Sequence, residues 1–540
     1  MRDFLRWPGS YSVLAARADT DLTIAADLAG QFPVFFAASP AGFWFASDAS
    51  SLARSTNAAV DRAALSGHLL GMANPIITGR RTILTGVSQV EAESAVRVDR
   101  RYRLQRLDVG VKAGEMPSLA TCAEVLREQL LTAVRLRAEE DPDRPISTDL
   151  SGGVDSTSLA FLAATHRSAP LPAFTYHSSA APVRSDVVRA TTAAEQSGRF
   201  EHHIVVGTAA QSPFQELAES PLADLPSTAD IVFARSRFRF AAASATGSRL
   251  HLTGDGGDLL TGPVPAYLAD FAVAKDYAAL WRHSVSWARL RNRPTALVVQ
   301  RSLRVGAQGP RLALLRTASR LARERQPMAS PASGRWEDTI AYWDEPGAAA
   351  AWLTARARES VVEHLRARAD SAVFPPRWRP SDYAIREELA ASGPVQRGLR
   401  DAAEMCGMEL HSPYLDSNVI RTCLSLTAGL RTSPSDTKPL LRRALTGLVP
   451  STTLNRRAKG DYTADQYVGL RRSAPFLRSL FQEPICAELG VLEPRPLLAA
   501  LDRGLLGLEI AWPAFTRVVA TEIWLRRFHH RELPSIGMAT

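Results

Sequence analysis

Between residues 117 and 262 short strand-like runs alternate with helical ones, and this alternation limits the fold more than any other feature of the chain. SLATCAEVLREQLLTAVRLRAEE sets Leu and Val at helical spacing against a polar face, which predicts a helix of about twenty residues. Downstream, PISTDL, LPAFTYH, HHIVV and RLHLT read as strands, while TSLAFLAATH, SDVVRATTAAEQSG and residues 231–245 read as helices. Strands separated by helices pair in parallel, and a parallel sheet is covered on both faces. The preceding text differs. Over residues 11–47 four short runs near period two, separated by turn residues, predict an antiparallel meander, and residues 58–107 add a short helix and further short strands. Residues 1–112 thus form one small α+β unit. Residues 113–540 form a larger α/β unit, almost wholly helical beyond Gly262, with loops expected around 326–334 and 375–381.

The strongest chemical signal lies in that alternation, at Ser151-Gly152-Gly153-Val154-Asp155-Ser156-Thr157, between a strand and a helix. Two glycines let successive N–H groups point at one anion, helped by the positive end of the following helix, and Ser151, Ser156 and Thr157 add hydroxyls. Asp155 would repel a phosphate unless a hard cation such as magnesium stood between them. Thr253-Gly254-Asp255-Gly256-Gly257-Asp258 again follows a strand and again combines glycines with acids. In a parallel sheet both loops fall at the carboxyl ends of strands, where ligands bind, so Asp155 and Asp258 are candidate partners on one magnesium ion.

Composition narrows the remaining classes. The chain has 540 residues, 46% of them hydrophobic and 22% charged, which excludes a disordered chain. Its formal charge of +9 invites a nucleic-acid reading, yet residues 281–325 hold eleven arginines and only one acid, Glu324. That segment alone accounts for the excess and is as readily a docking face as a solvated helical insert. Lys112, Lys275, Lys438 and Lys459 are the only lysines among 64 basic residues, which makes each informative, since a compact ammonium is not interchangeable with a planar guanidinium. Cys122, Cys406, Cys423 and Cys486 are too scattered for a metal knuckle and suit a reducing compartment. The opening MRDFLRWPGS lacks the apolar run of a signal peptide and no stretch reaches a membrane span, so a cytoplasmic location is expected. His202 and His203, on a strand, read as structural.

SGGVDST with GDGGD downstream resembles the pyrophosphate and second magnesium loops of the ATP-pyrophosphatases, specifically the asparagine synthetase class. Arg400-Asp401 followed by Glu409 and Ser412-Pro413-Tyr414-Leu415-Asp416 is similar to that class's segment ending in P-[FY]-L-D. Lys438-Pro439-Leu440-Leu441-Arg442 resembles its K-x-x-L-R helix, and Arg457-Ala458-Lys459-Gly460 its R-x-K loop. The resemblance runs in the family's order from about residue 10 to 465. It implies an α/β synthetase domain, a parallel sheet of the adenine nucleotide alpha hydrolase type with a C-terminal helical part. Before it would stand a degenerate glutaminase-like (Ntn-type) α+β unit, since GSYSVLAAR and DLAGQFPVFFA resemble that domain's strand and hairpin while Arg2 stands where glutamine hydrolysis needs Cys.

The resemblance also implies a reaction. A substrate carboxylate attacks the α-phosphorus of ATP, and an amine then displaces AMP. Ser151, Gly152, Gly153, Asp155, Ser156, Thr157, Gly254 and Gly256 would bind the nucleotide, Asp155 and Asp258 the magnesium, and Lys438 and Lys459 would face the phosphates and the oxyanion. Asp255 stands where relatives carry a Glu or Tyr of an acid–base pair. Within the class the wording is most similar to the lasso peptide cyclases, which join a peptide's N-terminal amine to an Asp or Glu side chain. A precursor peptide and leader-peptidase or leader-recognition proteins would then be partners, with no specific nucleic acid. β-Lactam synthetase-like or asparagine synthetase-like ligation of a small substrate is the alternative; a tRNA-modifying adenylating enzyme and an ATP-binding scaffold without chemistry belong to other classes.

Overall fold

The computed structural model describes residues 6–16, 21–39, 42–110, 115–139, 144–179, 185–323, 335–456, 463–531 and 533. Strands β1 (Val13–Ala16), β2 (Asp21–Ala25), β3 (Phe35–Ser39), β4 (Gly42–Ala46), β5 (Ser88–Gln89), β6 (Ser94–Asp99) and β7 (Leu104–Asp108) come first in the chain. The expected meander is divided between two antiparallel sheets, β1-β2-β6-β7 and β4-β3-β5. The cause is local: the Asp27 carboxylate accepts N–H groups of Ala29, Gln31 and Phe32 at 3.2, 2.9 and 2.8 Å, curling the chain between β2 and β3. Phe36 then stacks on Phe43 at 5.5 Å over a shared core with Ile24, Val96 and Val98.

The second unit is built on a five-stranded sheet, β8 (Ile146–Asp149), β9 (Leu171–Ser178), β10 (Phe200–Gly207), β11 (Leu250–Leu252) and β12 (Glu409–His411), in the order β10-β9-β8-β11-β12. Every neighbouring pair is parallel, as the alternation requires. One face is covered by the helices Leu119–Glu139 and Val154–Ala164 through Leu126, Leu130, Leu159 and Leu162. The other is covered by Phe233–Ala245 and the end of Pro380–Glu404, around Phe174, Phe240 and Leu410. Strand β12 is an exception to the almost wholly helical text beyond Gly262, and it completes the sheet beside β11. The loop expected at 326–334 lies outside the described residues, and the one at 375–381 is cut short because a helix begins at Pro380.

The first and last parts of the chain share a core. Phe35, Leu65 and Leu69 pack in one cluster with Tyr267, Trp343, Tyr383, Phe515 and Trp524. The arginine-rich stretch forms the helices Tyr277–Leu290 and Thr295–Arg323, and part of its charge is met by acids elsewhere: Arg293 by Glu337 at 2.5 Å, Arg301 by Glu345 at 3.3 Å and Arg311 by Asp370 at 2.7 Å. Among the described residues no helix is long and apolar enough to cross a membrane.

Candidate active site

Strands β8 and β11 are neighbours, so the loops that leave their carboxyl ends meet. Beneath them Asp149, the last residue of β8, receives Arg239 at 2.5 Å and His251 of β11 at 3.2 Å. Burial works against the charge on Asp149, but the guanidinium and imidazole outweigh it and hold the carboxyl well below the usual carboxylate range. This buried network pins both strand ends where the loops begin. His202 and His203 have structural partners, Thr175 at 2.7 Å and the Phe174 ring at 4.9 Å.

The first loop is held closed by its own side chains. Ser151 N–H donates to Ser156 Oγ at 3.1 Å, the two hydroxyls lie 2.6 Å apart, and Gly153 N–H donates to Ser151 Oγ at 3.2 Å. Gly152 has φ +66°, and a Cβ there would fall 2.5 Å from the Asp186 carbonyl, so the turn requires glycine. Thr157 is fully enclosed and Ser156 is buried, which leaves Ser151 as the exposed hydroxyl of the loop, with Ser156 behind it. Arg456 is a residue the motifs do not reveal. Its guanidinium donates to the Gly152 carbonyl and to Asp186 at 2.5 Å, clamping the turn.

The glycines of the second loop are contact points. A Cβ on Gly254 would fall 2.5 Å from Ser156 N, one on Gly257 would overlap the Asp155 carboxyl, and Gly256, at φ +86°, abuts Leu415. SGGVDS, GDGGD and PYLD therefore pack against one another as a single unit. Tyr414 donates to the Asp155 carbonyl at 3.3 Å, and buried Asp416 receives Arg137 in two bonds of 2.8 and 2.6 Å. The consequence for charge is direct. Lys438 Nζ stands 2.6 and 2.5 Å from the two Asp155 oxygens and 2.6 Å from Asp258, joining acids from both loops on one ammonium. Three carboxylate oxygens converge on this one ammonium, a point that suits a compact cation, and they hold Lys438 between the two loops where the phosphates are expected. Lys459, with Arg457, Ala458 and Gly460, lies outside the described residues.

Asp255 is half-buried and accepts from Gln396 Nε2 at 3.2 Å, whose own oxygen is fixed by Ser412 Oγ at 2.8 Å. One acid missed from sequence completes the rim. Glu388, on the helix Pro380–Glu404, opens to solvent on one side but is crowded by protein and then by Asp344 and Asp258, which pushes its carboxyl up to about 7. Its neighbour Glu387 is buried, which raises its carboxyl well above the usual range, and accepts the Asp344 N–H at 2.8 Å. No local motif marks these residues, since the long helix delivers them by packing across the loops.

Among the described residues no group of three or more His, Cys, Asp or Glu could hold a metal ion. Two convergent carboxylates nevertheless suit magnesium, which takes one or two protein oxygens and completes its shell with water and phosphate. The ammonium already drawn between Asp155 and Asp258 shows that the pair favours positive charge at that point.

Two loops of glycine and acid at the carboxyl ends of adjacent parallel strands, with helices on both faces, define an α/β synthetase fold. A family model described as asparagine synthase matches residues 125–526, and the chain belongs to that family. Its members are ATP-dependent carbon–nitrogen ligases that typically work with magnesium. No curated protein matches the chain.

Proposed function

We propose that this protein is an AMP-forming amide ligase that activates an Asp or Glu side-chain carboxylate of a precursor peptide and joins it to the peptide's N-terminal amine, as lasso peptide cyclases do. The convergence of Asp155, Lys438 and Asp258 above β8 and β11 carries the ligase reading. The wording of SGGVDSTSLAFLA and GDGGDLL supports the peptide-cyclising branch. In the first step the substrate carboxylate oxygen bonds to the α-phosphorus and pyrophosphate leaves. In the second the amine nitrogen bonds to the acyl carbon, loses a proton, and AMP leaves with the electron pair of the broken C–O bond.

The chain's own groups suit these steps. Ser151 and Ser156, fixed on each other, and the turn clamped by Arg456 present a rigid cradle to the leaving pyrophosphate. Asp155 and Asp258 would hold magnesium, which when bound supplies positive charge to the polyphosphate. Lys438 is close enough to meet charge that develops on the transferring phosphoryl oxygens once the acids have another cation. Asp255, oriented by Gln396, and Glu388, poised near neutrality, are the candidates among the described residues to take the amine's proton. Lys459 is assigned to the oxyanion by its place in the R-x-K wording alone. A leader peptidase and a leader-recognition protein would deliver the precursor.

The test is incubation of the full chain with ATP, magnesium and candidate core peptides that carry an Asp or Glu. Mass spectrometry should show the peptide lighter by one water, with AMP formed in equal amount. AMP with an unmodified peptide across such a panel would overturn the cyclase assignment, and ADP in place of AMP would overturn attack at the α-phosphorus.

A further inference from the structure

An open cavity of about 1060 Å³ lies in the seam between the first unit and the end of the helix Pro380–Glu404, away from the loops just described. Its size is that of a ligand site. Four exposed large apolar side chains face it: Leu14, Phe32, Phe45 and Met405, with exposures of 45, 39, 46 and 54%. Single exposed apolar groups need no explanation, but four lining one concavity do.

The charges in the cavity are also unusual. Asp401 and Glu404 occupy the last turn of the helix, at the negative end of its dipole, and no basic residue accompanies them in that turn. The two nearby guanidiniums are otherwise engaged. Arg397 is bound to Asp224 at 2.8 Å, and Arg400 lies over the Phe32 ring at 4.3 Å while donating to the Gln31 carbonyl at 2.9 Å. The Asp401 and Glu404 carboxylates therefore have no ion pair among the described residues. Burial and then Glu404 and Asp224 push the Asp401 carboxyl up to about 6, outweighing the longer-range attraction of Arg400 and Arg397.

We propose that this cavity is a binding subsite for a cationic, otherwise apolar peptide segment, with a Lys or Arg side chain set against Asp401 and Glu404 and its apolar neighbours against Phe32, Phe45, Leu14 and Met405. The inference asks only for binding and goes beyond the ligase reading; if that reading holds, the segment belongs to the precursor. The cavity also has a short route to the catalytic loops. Gln31, whose carbonyl Arg400 holds, lies with its side chain 3.4 Å from the Leu415 carbonyl, Ser10 donates to the same carbonyl at 2.9 Å, and Leu415 packs on Gly256.

The experiment is fluorescence anisotropy on the full chain without ATP, using a labelled, end-blocked peptide of sequence Leu-Arg-Phe-Leu and its analogue with Glu in place of Arg. The Arg peptide should bind saturably and the Glu analogue at least about tenfold more weakly, since a charged hydrogen bond is worth that much. Asp401→Asn and Phe32→Ala should each weaken the Arg peptide about tenfold, while Asp155→Ala leaves it unchanged. Asp401→Asn removes a repelled charge, so its thermal midpoint should not fall, which separates lost binding from lost folding. Equal binding of the two peptides, or wild-type affinity in Asp401→Asn, would overturn the proposal. Competition by phenethylammonium at the peptide's own concentration would overturn its peptide character. Because no ATP is present, absence of AMP formation in the ligase assay leaves these outcomes intact, and the two ideas fail separately.

Discussion

Lys438 holds three carboxylate oxygens at 2.5 to 2.6 Å on one nitrogen, a geometry that a flat guanidinium cannot copy. Lys438→Arg should therefore lower carboxylate-dependent ATP–pyrophosphate exchange by about a hundredfold, the scale of losing one well-placed charge partner, with an unchanged circular dichroism spectrum. Exchange near the wild-type rate would mean that the position needs only charge. Glu388 makes a separate prediction. A base works as the carboxylate, and a carboxyl raised to about 7 takes up its proton as the pH falls through that value. Amide formation should then decline below pH 7, and Glu388→Gln should be slower at pH 8 and lack that acid limb. An unchanged limb in Glu388→Gln would rule out Glu388 as the base. Neither Glu388 nor Gln396 was legible in the sequence, because each is one polar residue on a long helix and acquires its role from packing across the loops. Asp155, Asp255 and Asp258 were legible because each stands beside a glycine or a hydroxyl residue in a short run that follows a strand.

At the scale of elements, the alternation of periods recovered β8 to β11 and the covering helices, since a buried parallel strand and its crossover helix have distinct patterns. It missed β12, which is three residues long and enclosed by helical text, and joined two hairpins that the Asp27 turn separates. Strand count and sheet membership depend on partners distant in sequence, which periodicity does not carry. What the glycine-rich wording did encode is contact. Gly257 meets the Asp155 carboxyl so closely that a methyl group must move either the loop or the acid. Gly257→Ala should keep the fold, as judged by near-ultraviolet circular dichroism, and lose at least about tenfold in pyrophosphate exchange through misplacement of Asp155. Retained exchange would show that the two loops can separate without penalty.

For the whole molecule, the question is whether the first hundred residues are an appendage or part of the enzyme's framework. Glu93, beside β6, reaches Arg386 of the long helix in two bonds of 2.8 and 2.9 Å, with both residues buried and the guanidinium 3.8 Å over the Trp378 ring. That same helix carries Glu388 and Gln396 at the site and Asp401 at the seam cavity. Glu93→Gln preserves shape while leaving Arg386 buried, with Asp382 at 3.9 Å as its nearest remaining acid. Breaking one side of a buried pair costs about 3 to 5 kcal/mol, because the stranded charge stays desolvated. The thermal midpoint of Glu93→Gln should fall, and tryptophan fluorescence and far-ultraviolet circular dichroism should still report a single transition, since Phe35, Leu65 and Leu69 share one core with Trp343 and Trp524. Two separated transitions would show that the first unit melts alone and that its bond to the catalytic helix is dispensable.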